Sequence, residues 1–143
     1  MTKRHALHPA NYGQMKDFHN RIEAETSLDK TLIELIKLRA SQLNGCAFCL
    51  DMHAKDARAN GETEQRLYTL SAWRETPFFS PREQAALALT EAVTRIGDRH
   101  VPEEVYAEAA RHFEPAELSD VLMAIIAINA WNRIAITTGM MPR

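Results

Sequence analysis

Apolar residues recur along this chain at intervals of three and four, and no stretch shows the alternating, β-branched pattern of a strand. The pattern predicts an all-α fold of about six or seven helices. The first runs from about Pro9 to Glu25, with Tyr12, Met15, Phe18 (or His19) and Ile22 along one face. Ser27 is a candidate N-cap for the second, whose inward face carries Leu28, Leu32, Leu35, Ile36, Arg39 and Leu43 before Asn44-Gly45 supplies a left-handed stop. A third helix starts near Cys46 and ends at Asn60-Gly61, and a shorter one covers about Glu62 to Trp73. Residues Arg74 to Ser80 read as a loop.

Start signals are clearest in the second half. Ser80-Pro81-Arg82-Glu83 combines a capping serine, a proline at the first helical position and a glutamate that can close a capping box, and this helix is expected to end at Gly97. Pro102 opens a helix to about His112, and Pro115 opens a long last helix that stops at Thr138-Gly139. In that helix Leu118, Leu122, Ile125, Ile126 and Ile136 lie on nearly every side, so it is either central or shared with another subunit. Homo-oligomerisation is therefore an expectation.

A length of 143 residues fits a single domain spanning residues 1–143, and 45% hydrophobic with 25% charged residues is ordinary globular composition. The net charge of −2, with both signs interspersed, gives no footprint for nucleic acid or an anionic membrane. The N-terminal residues lack an apolar signal core, and the run Val121 to Ala130 is too short to cross a bilayer. A cytoplasmic location follows, where a Cys-x-x-Cys is more often redox-active or metal-binding than a structural staple.

Both cysteines of the chain fall in Cys46-Ala47-Phe48-Cys49-Leu50-Asp51-Met52-His53. At the start of a helix, residues three apart share a face, so the two sulfurs can close a short disulfide loop. Such a loop stabilises little, which favours reversible oxidation as its purpose. Helix N-terminal N–H groups favour a thiolate, and His53, four residues after Cys49, can take its proton. Folding the second and third helices antiparallel about Asn44-Gly45 places position 34 or 35 opposite 53 to 55, so Glu34 can meet His53. Glu34 sits in the apolar run Leu32-Ile33-Glu34-Leu35-Ile36, where an unpaired carboxylate is costly; its alternatives are solvent, Lys30, Lys37 or Arg39.

Glu34, eleven residues, Cys46-x-x-Cys49, three residues and His53 resemble the redox motif of the AhpD-like alkylhydroperoxidases, within the carboxymuconolactone decarboxylase superfamily. The likeness extends over Leu38 to Lys55 and through Trp73-Arg74-Glu75 and Ser80 to Glu83 to Asn129 to Arg133. It implies an AhpD-like helical bundle with a catalytic hairpin, a homotrimer or hexamer, and thiol-dependent reduction of a small-molecule hydroperoxide without a cofactor. Carried over, Cys49 attacks the peroxide, Cys46 resolves the sulfenic acid as a disulfide, His53 deprotonates Cys49 and Glu34 orients His53. An unidentified thiol or disulfide donor supplies electrons. The chain departs from better-known members at Phe48, which stands where they carry a relay histidine.

The main rival is a metal module in which Cys46, Cys49, His53 and Glu34 hold zinc, although no second Cys/His cluster accompanies them. A general dithiol-disulfide oxidoreductase without efficient peroxidase activity is another. A third is a non-enzymatic helical protein with bystander cysteines. Haem attachment needs histidine where Leu50 stands, and a thioredoxin-like fold needs strands. His5, His8, His19, His100 and His112 lack ligand spacing and read as solvated or structural, Trp73 and Trp131 as core or interface aromatics.

Overall fold

A computed structural model describes residues 1–143. Eight α-helices and no strands make up the fold: α1 (Pro9–Glu25), α2 (Lys30–Asn44), α3 (Ala47–Ala59), α4 (Glu64–Thr69), α5 (Pro81–Thr94), α6 (Ile96–Arg99), α7 (Glu103–His112) and α8 (Pro115–Thr138). A 3-10 segment, Leu70–Glu75, follows α4 directly.

Helix α2 is the hub, packing against α8, α3 and α5. Its residues divide two cores. Leu32, Ile33 and Ile36 join α5, α7 and α8 around Ala86, Leu89, Phe113, Val121 and Ile125. Leu35 and Leu38 face the other way, onto Ala57, Leu70, Trp73, Phe79 and Leu87. Leu35 and Ile36 are fully buried. Truncating either to alanine removes on the order of 2 to 5 kcal/mol.

The last helix is thus only one of two central elements. Leu122, Ile126 and Ile136 on α8 are more than 40% exposed. As a whole α8 is longer than its most apolar run, and its length and mean hydropathy of 1.4 over 18 residues meet those of a bilayer span. Here one face of it forms core with α2 and α5. A polar ladder joins α2 to α8: Asn44 donates to Asn129 and Asn132 at 2.9 Å each, and Asn132 donates to Ser41 at 3.0 Å. No buried side-chain nitrogen or oxygen lacks a partner.

Several helix boundaries differ from expectation for local reasons. Asp29, not Ser27, caps α2, accepting from the Leu32 N–H at 2.8 Å. Ser27 instead donates through its N–H and hydroxyl to Asp120 on α8. Thr63 caps α4, which begins at Glu64, two residues after the expected start, and Glu62 is buried beside Arg66. Trp73 belongs to the 3-10 segment, which extends into the predicted loop as far as Glu75. The chain breaks at Arg95 before Gly97, and Gly97 lies inside the single turn of α6. The Ser80 and Glu83 capping box forms as predicted, and so does the left-handed stop at Gly139.

Helix α1 stands apart because it contains no buried residue. Tyr12 on its predicted inner face is 47% exposed. Arg4, ahead of α1, donates to the Ile136 and Thr137 carbonyls and so ties the N-terminal segment to the end of α8.

Glu91 fastens α5 to its neighbours, accepting from Arg39 on α2 (2.8 Å), Trp73 (2.9 Å) and Arg74 (2.6 Å). Burial opposes its charge, yet hydrogen bonds from Arg74, Trp73 and Arg39 outweigh burial and hold the carboxyl below its ordinary range. A carboxyl depressed in this way contributes stability that is present above its unfolded pKa and lost as pH falls through the folded one. Glu91→Gln is expected to lower the unfolding free energy by about 2 to 3 kcal/mol at neutral pH. Urea titrations should show that gap narrowing below about pH 4.

Candidate active site

The site grows from the α2–α3 turn. Gly45 ends α2 with φ of +69°, in the left-handed region where a side chain is strained, and donates to the Gln42 and Ser41 carbonyls. The Cys46 N–H returns to the Ser41 carbonyl at 3.0 Å, closing the turn so that α3 begins at once and runs back along α2.

The two cysteines occupy different helical positions. Cys46 is the N-cap of α3, and its sulfur accepts from the Cys49 N–H at 3.3 Å. Cys49 lies one turn in. The sulfurs form a disulfide with Cα atoms 5.3 Å apart. Both residues are buried, in a small cluster with Ala135 of α8 and the partly buried Phe48.

His53 follows on the same face, also buried. Its Nδ1 lies 3.1 Å from Oε2 of Glu34, whose side chain is only 15% exposed. An ionised carboxylate only accepts, so Nδ1 carries the proton and Nε2 is the nitrogen free to act as a base. Lys37, one turn further along α2, is buried as well, with Nζ 4.0 Å from Oε1 of Glu34 and in direct contact with Glu23 of α1.

A cavity of about 310 Å³ opens over this group. Cys49, His53 and Glu34 line one side, with Tyr12, Lys16 and His19 of α1 and Trp131 of α8 opposite. Cys46 is not among the lining residues. A larger groove of about 590 Å³ lies between α5, α7 and α8, but it holds no thiol, so size does not single out the site.

Of the four residues singled out in the sequence, three therefore line one cavity and Cys46 backs onto Cys49 behind it. The convergent set of donors is different from the anticipated zinc ligands: atoms of Glu34, His53 and the exposed Asp56 come within 4.8 Å of one another, without either cysteine.

His19, which the sequence reads as solvated or structural, lines this cavity. Its ring packs edge-on to Trp131 with centroids 6.2 Å apart, as does that of Tyr12 at 6.0 Å. Positions 12, 16, 19 and 23 follow a helical repeat, which was the available signal; nothing local indicated that this face of α1 meets α8. Burial, and then the Lys37 ammonium, push the His19 imidazole below its ordinary pKa.

A helical hairpin that buries a dithiol at a helix N-terminus, beside a carboxylate-paired histidine, defines the AhpD-like class of helical proteins. Residues 9–92 match the carboxymuconolactone decarboxylase family, and the chain belongs to it. The chain is similar to the uncharacterized protein YdfG of Bacillus subtilis, 50% identical over 115 residues that cover 80% of this chain and 78% of that one. It is also similar to a crystal structure from Agrobacterium tumefaciens, a protein of unknown function carrying the label of the antioxidant defence protein AhpD. There the TM-score is 0.92 and identity 38%, covering 95% of this chain and 92% of the other. The debrominase Bmp8 shares the fold at a TM-score of 0.82 with 18% identity, over 91% of this chain and 69% of Bmp8.

Because protonation of His19 is disfavoured in the fold, its NMR titration midpoint should lie below 6.5. The fold loses stability as pH falls through the unfolded value of about 6.5. Lys37→Met should move the midpoint upward.

Proposed function

We propose that the protein is a thiol-dependent hydroperoxide reductase with Cys49 as nucleophile. The observation that carries this reading is that Cys49 lines the cavity beside His53 while Cys46 lies behind it. A peroxide in the cavity can meet the first thiol, and the second is placed only to meet the first.

In the reduced protein, Nε2 of His53 takes the Cys49 proton, and Glu34 stabilises the imidazolium through Nδ1–H. The Cys49 thiolate attacks the terminal peroxide oxygen. An S–O bond forms, the O–O bond breaks, and the departing alkoxide takes the proton from His53 to leave as an alcohol. Cys46, whose sulfur is favoured as a thiolate by the Cys49 N–H, then attacks the sulfenic sulfur. The S–S bond forms and hydroxide leaves with the Cys46 proton as water. The sum is one hydroperoxide and two thiols converted to alcohol, water and a disulfide. A thiol donor of the cytoplasm restores the dithiol.

Phe48 adds an apolar contact to this cavity where the resemblance leads one to look for a relay histidine. The reading therefore rests its proton transfers on His53 and Glu34. Exposed Leu122, Ile126 and Ile136 on α8 support assembly into a homo-oligomer, trimer or hexamer.

The test is single-turnover mixing of the reduced protein with cumene hydroperoxide while free thiols are counted. Two thiols should disappear per peroxide. Cys49→Ser is expected to lose at least a hundredfold in rate, and Cys46→Ser to stop at a sulfenic acid that dimedone traps. Glu34→Gln should slow the first step by roughly a hundredfold, within the range for acid–base catalysis. Stoichiometric zinc with both thiols untouched by peroxide, or full activity in Cys49→Ser, would overturn the reading.

A further inference from the structure

The charges around the site form a continuous line across three helices. Nε2 of His19 lies 3.8 Å from Oε1 of Glu23 on α1. The same Glu23 oxygen contacts Nζ of Lys37 on α2. Nζ lies 4.0 Å from Oε1 of Glu34, and the other Glu34 oxygen is 3.1 Å from Nδ1 of His53 on α3. His53 stands one helical turn beyond Cys49.

Packing alone does not account for Lys37. Its side chain is 7% exposed, and burying an ammonium costs solvation that an apolar residue of similar size avoids. Its anchor Glu23 sits on the one long helix that buries nothing. What Lys37 does touch is the carboxylate that holds His53. An ammonium beside Oε1 keeps Glu34 ionised and leaves Oε2 for the imidazole. Left uncompensated, the same ammonium would cancel much of the field that Glu34 exerts on His53. Glu23 offsets that charge.

We propose that Lys37 and Glu23 are positioning residues of the dithiol site, which together set how much of the Glu34 charge reaches His53. Glu23 thereby links α1, which walls the cavity, to the basicity applied to Cys49. The proton-transfer role of His53 rests on the hydroperoxide-reductase reading, whereas the electrostatic coupling itself does not.

The titratable groups around His53 are Glu34 and Lys37 on α2, Cys49 and Asp56 on its own helix, and Tyr12, Lys16 and His19 on α1. Helix α8 faces it with Trp131 and Ala135, which do not titrate. In the disulfide form Cys49 drops out as well. The His53 imidazole is then read together with that of His19, which lines the same cavity.

The experiment is NMR titration of His53 in the oxidised full-length protein. Glu23→Gln, nearly isosteric and on a helix without buried residues, should lower the His53 midpoint by about half to one pH unit, a three- to tenfold change in the protonation equilibrium. Lys37→Met should raise it. In the double variant the two shifts should largely offset, because the charges removed are of opposite sign and act on the same imidazole. A midpoint unmoved by Glu23→Gln, in a protein with unchanged helical circular dichroism, would overturn the proposal and leave the pair as a tether for α1. If Lys37→Met does not fold, the Glu23→Gln titration decides alone. In the reduced protein the acid limb of the pH–rate profile with cumene hydroperoxide should move with the His53 midpoint. A protein with no peroxide turnover but a shifted midpoint would retain the coupling and sink only the peroxidase reading.

Discussion

A half-buried carboxylate set between Ile33 and Leu35 in the chain needs partners, and this constraint at Glu34 organises the site. Its neighbours in the chain, Ile33 and Leu35, are both buried, so α2 cannot rotate to bring Glu34 further into water without exposing them. The carboxylate must be met where it stands. His53 meets one oxygen at 3.1 Å and Lys37 lies 4.0 Å from the other. Holding His53 there requires α3 to run antiparallel to α2 in a fixed register, and Gly45, at positive φ, makes the immediate reversal attainable. Register, turn and buried charge thus specify one another.

The same turn makes the two thiols unequal. As N-cap, Cys46 receives a backbone N–H and sits in the core against Ala135. Cys49, one turn inside α3, shares a face with His53 and borders the cavity. The helix terminus supplies a donor to one sulfur, and the other shares its helix face with the imidazole. Two chemically identical residues three positions apart acquire different capacities from a single capping arrangement.

What could be read from the chain was what depends on short separations. The capping box at Ser80 and Glu83 and the stop at Gly139 are local chemistry, and the fold contains them where the residues indicate. The meeting of Glu34 with His53 followed from counting outward from Asn44-Gly45, because a tight antiparallel turn converts sequence distance into spatial pairing. Ser27 and Asp29 show the limit: both are good caps, and the choice turned on Asp120, more than ninety positions away, which takes the Ser27 hydroxyl and N–H. The place of His19 was hidden for the same reason. Its helical repeat with Tyr12 and Lys16 was visible, but its part in the cavity depends on α1 docking against Trp131, a contact without any local signature.

Stability and chemistry are also kept in separate parts of the molecule. A disulfide across four residues restricts the unfolded chain by roughly 2 kcal/mol in the loop-entropy treatment, no more than the low end of what one buried leucine of α2 supplies. The fold is held instead by Leu35, Ile36 and their partners in two cores that do not include the cysteines. The third, small cluster around Cys46 and Cys49 has only Ala135 as a further buried member. Opening and closing the S–S bond therefore perturbs few contacts.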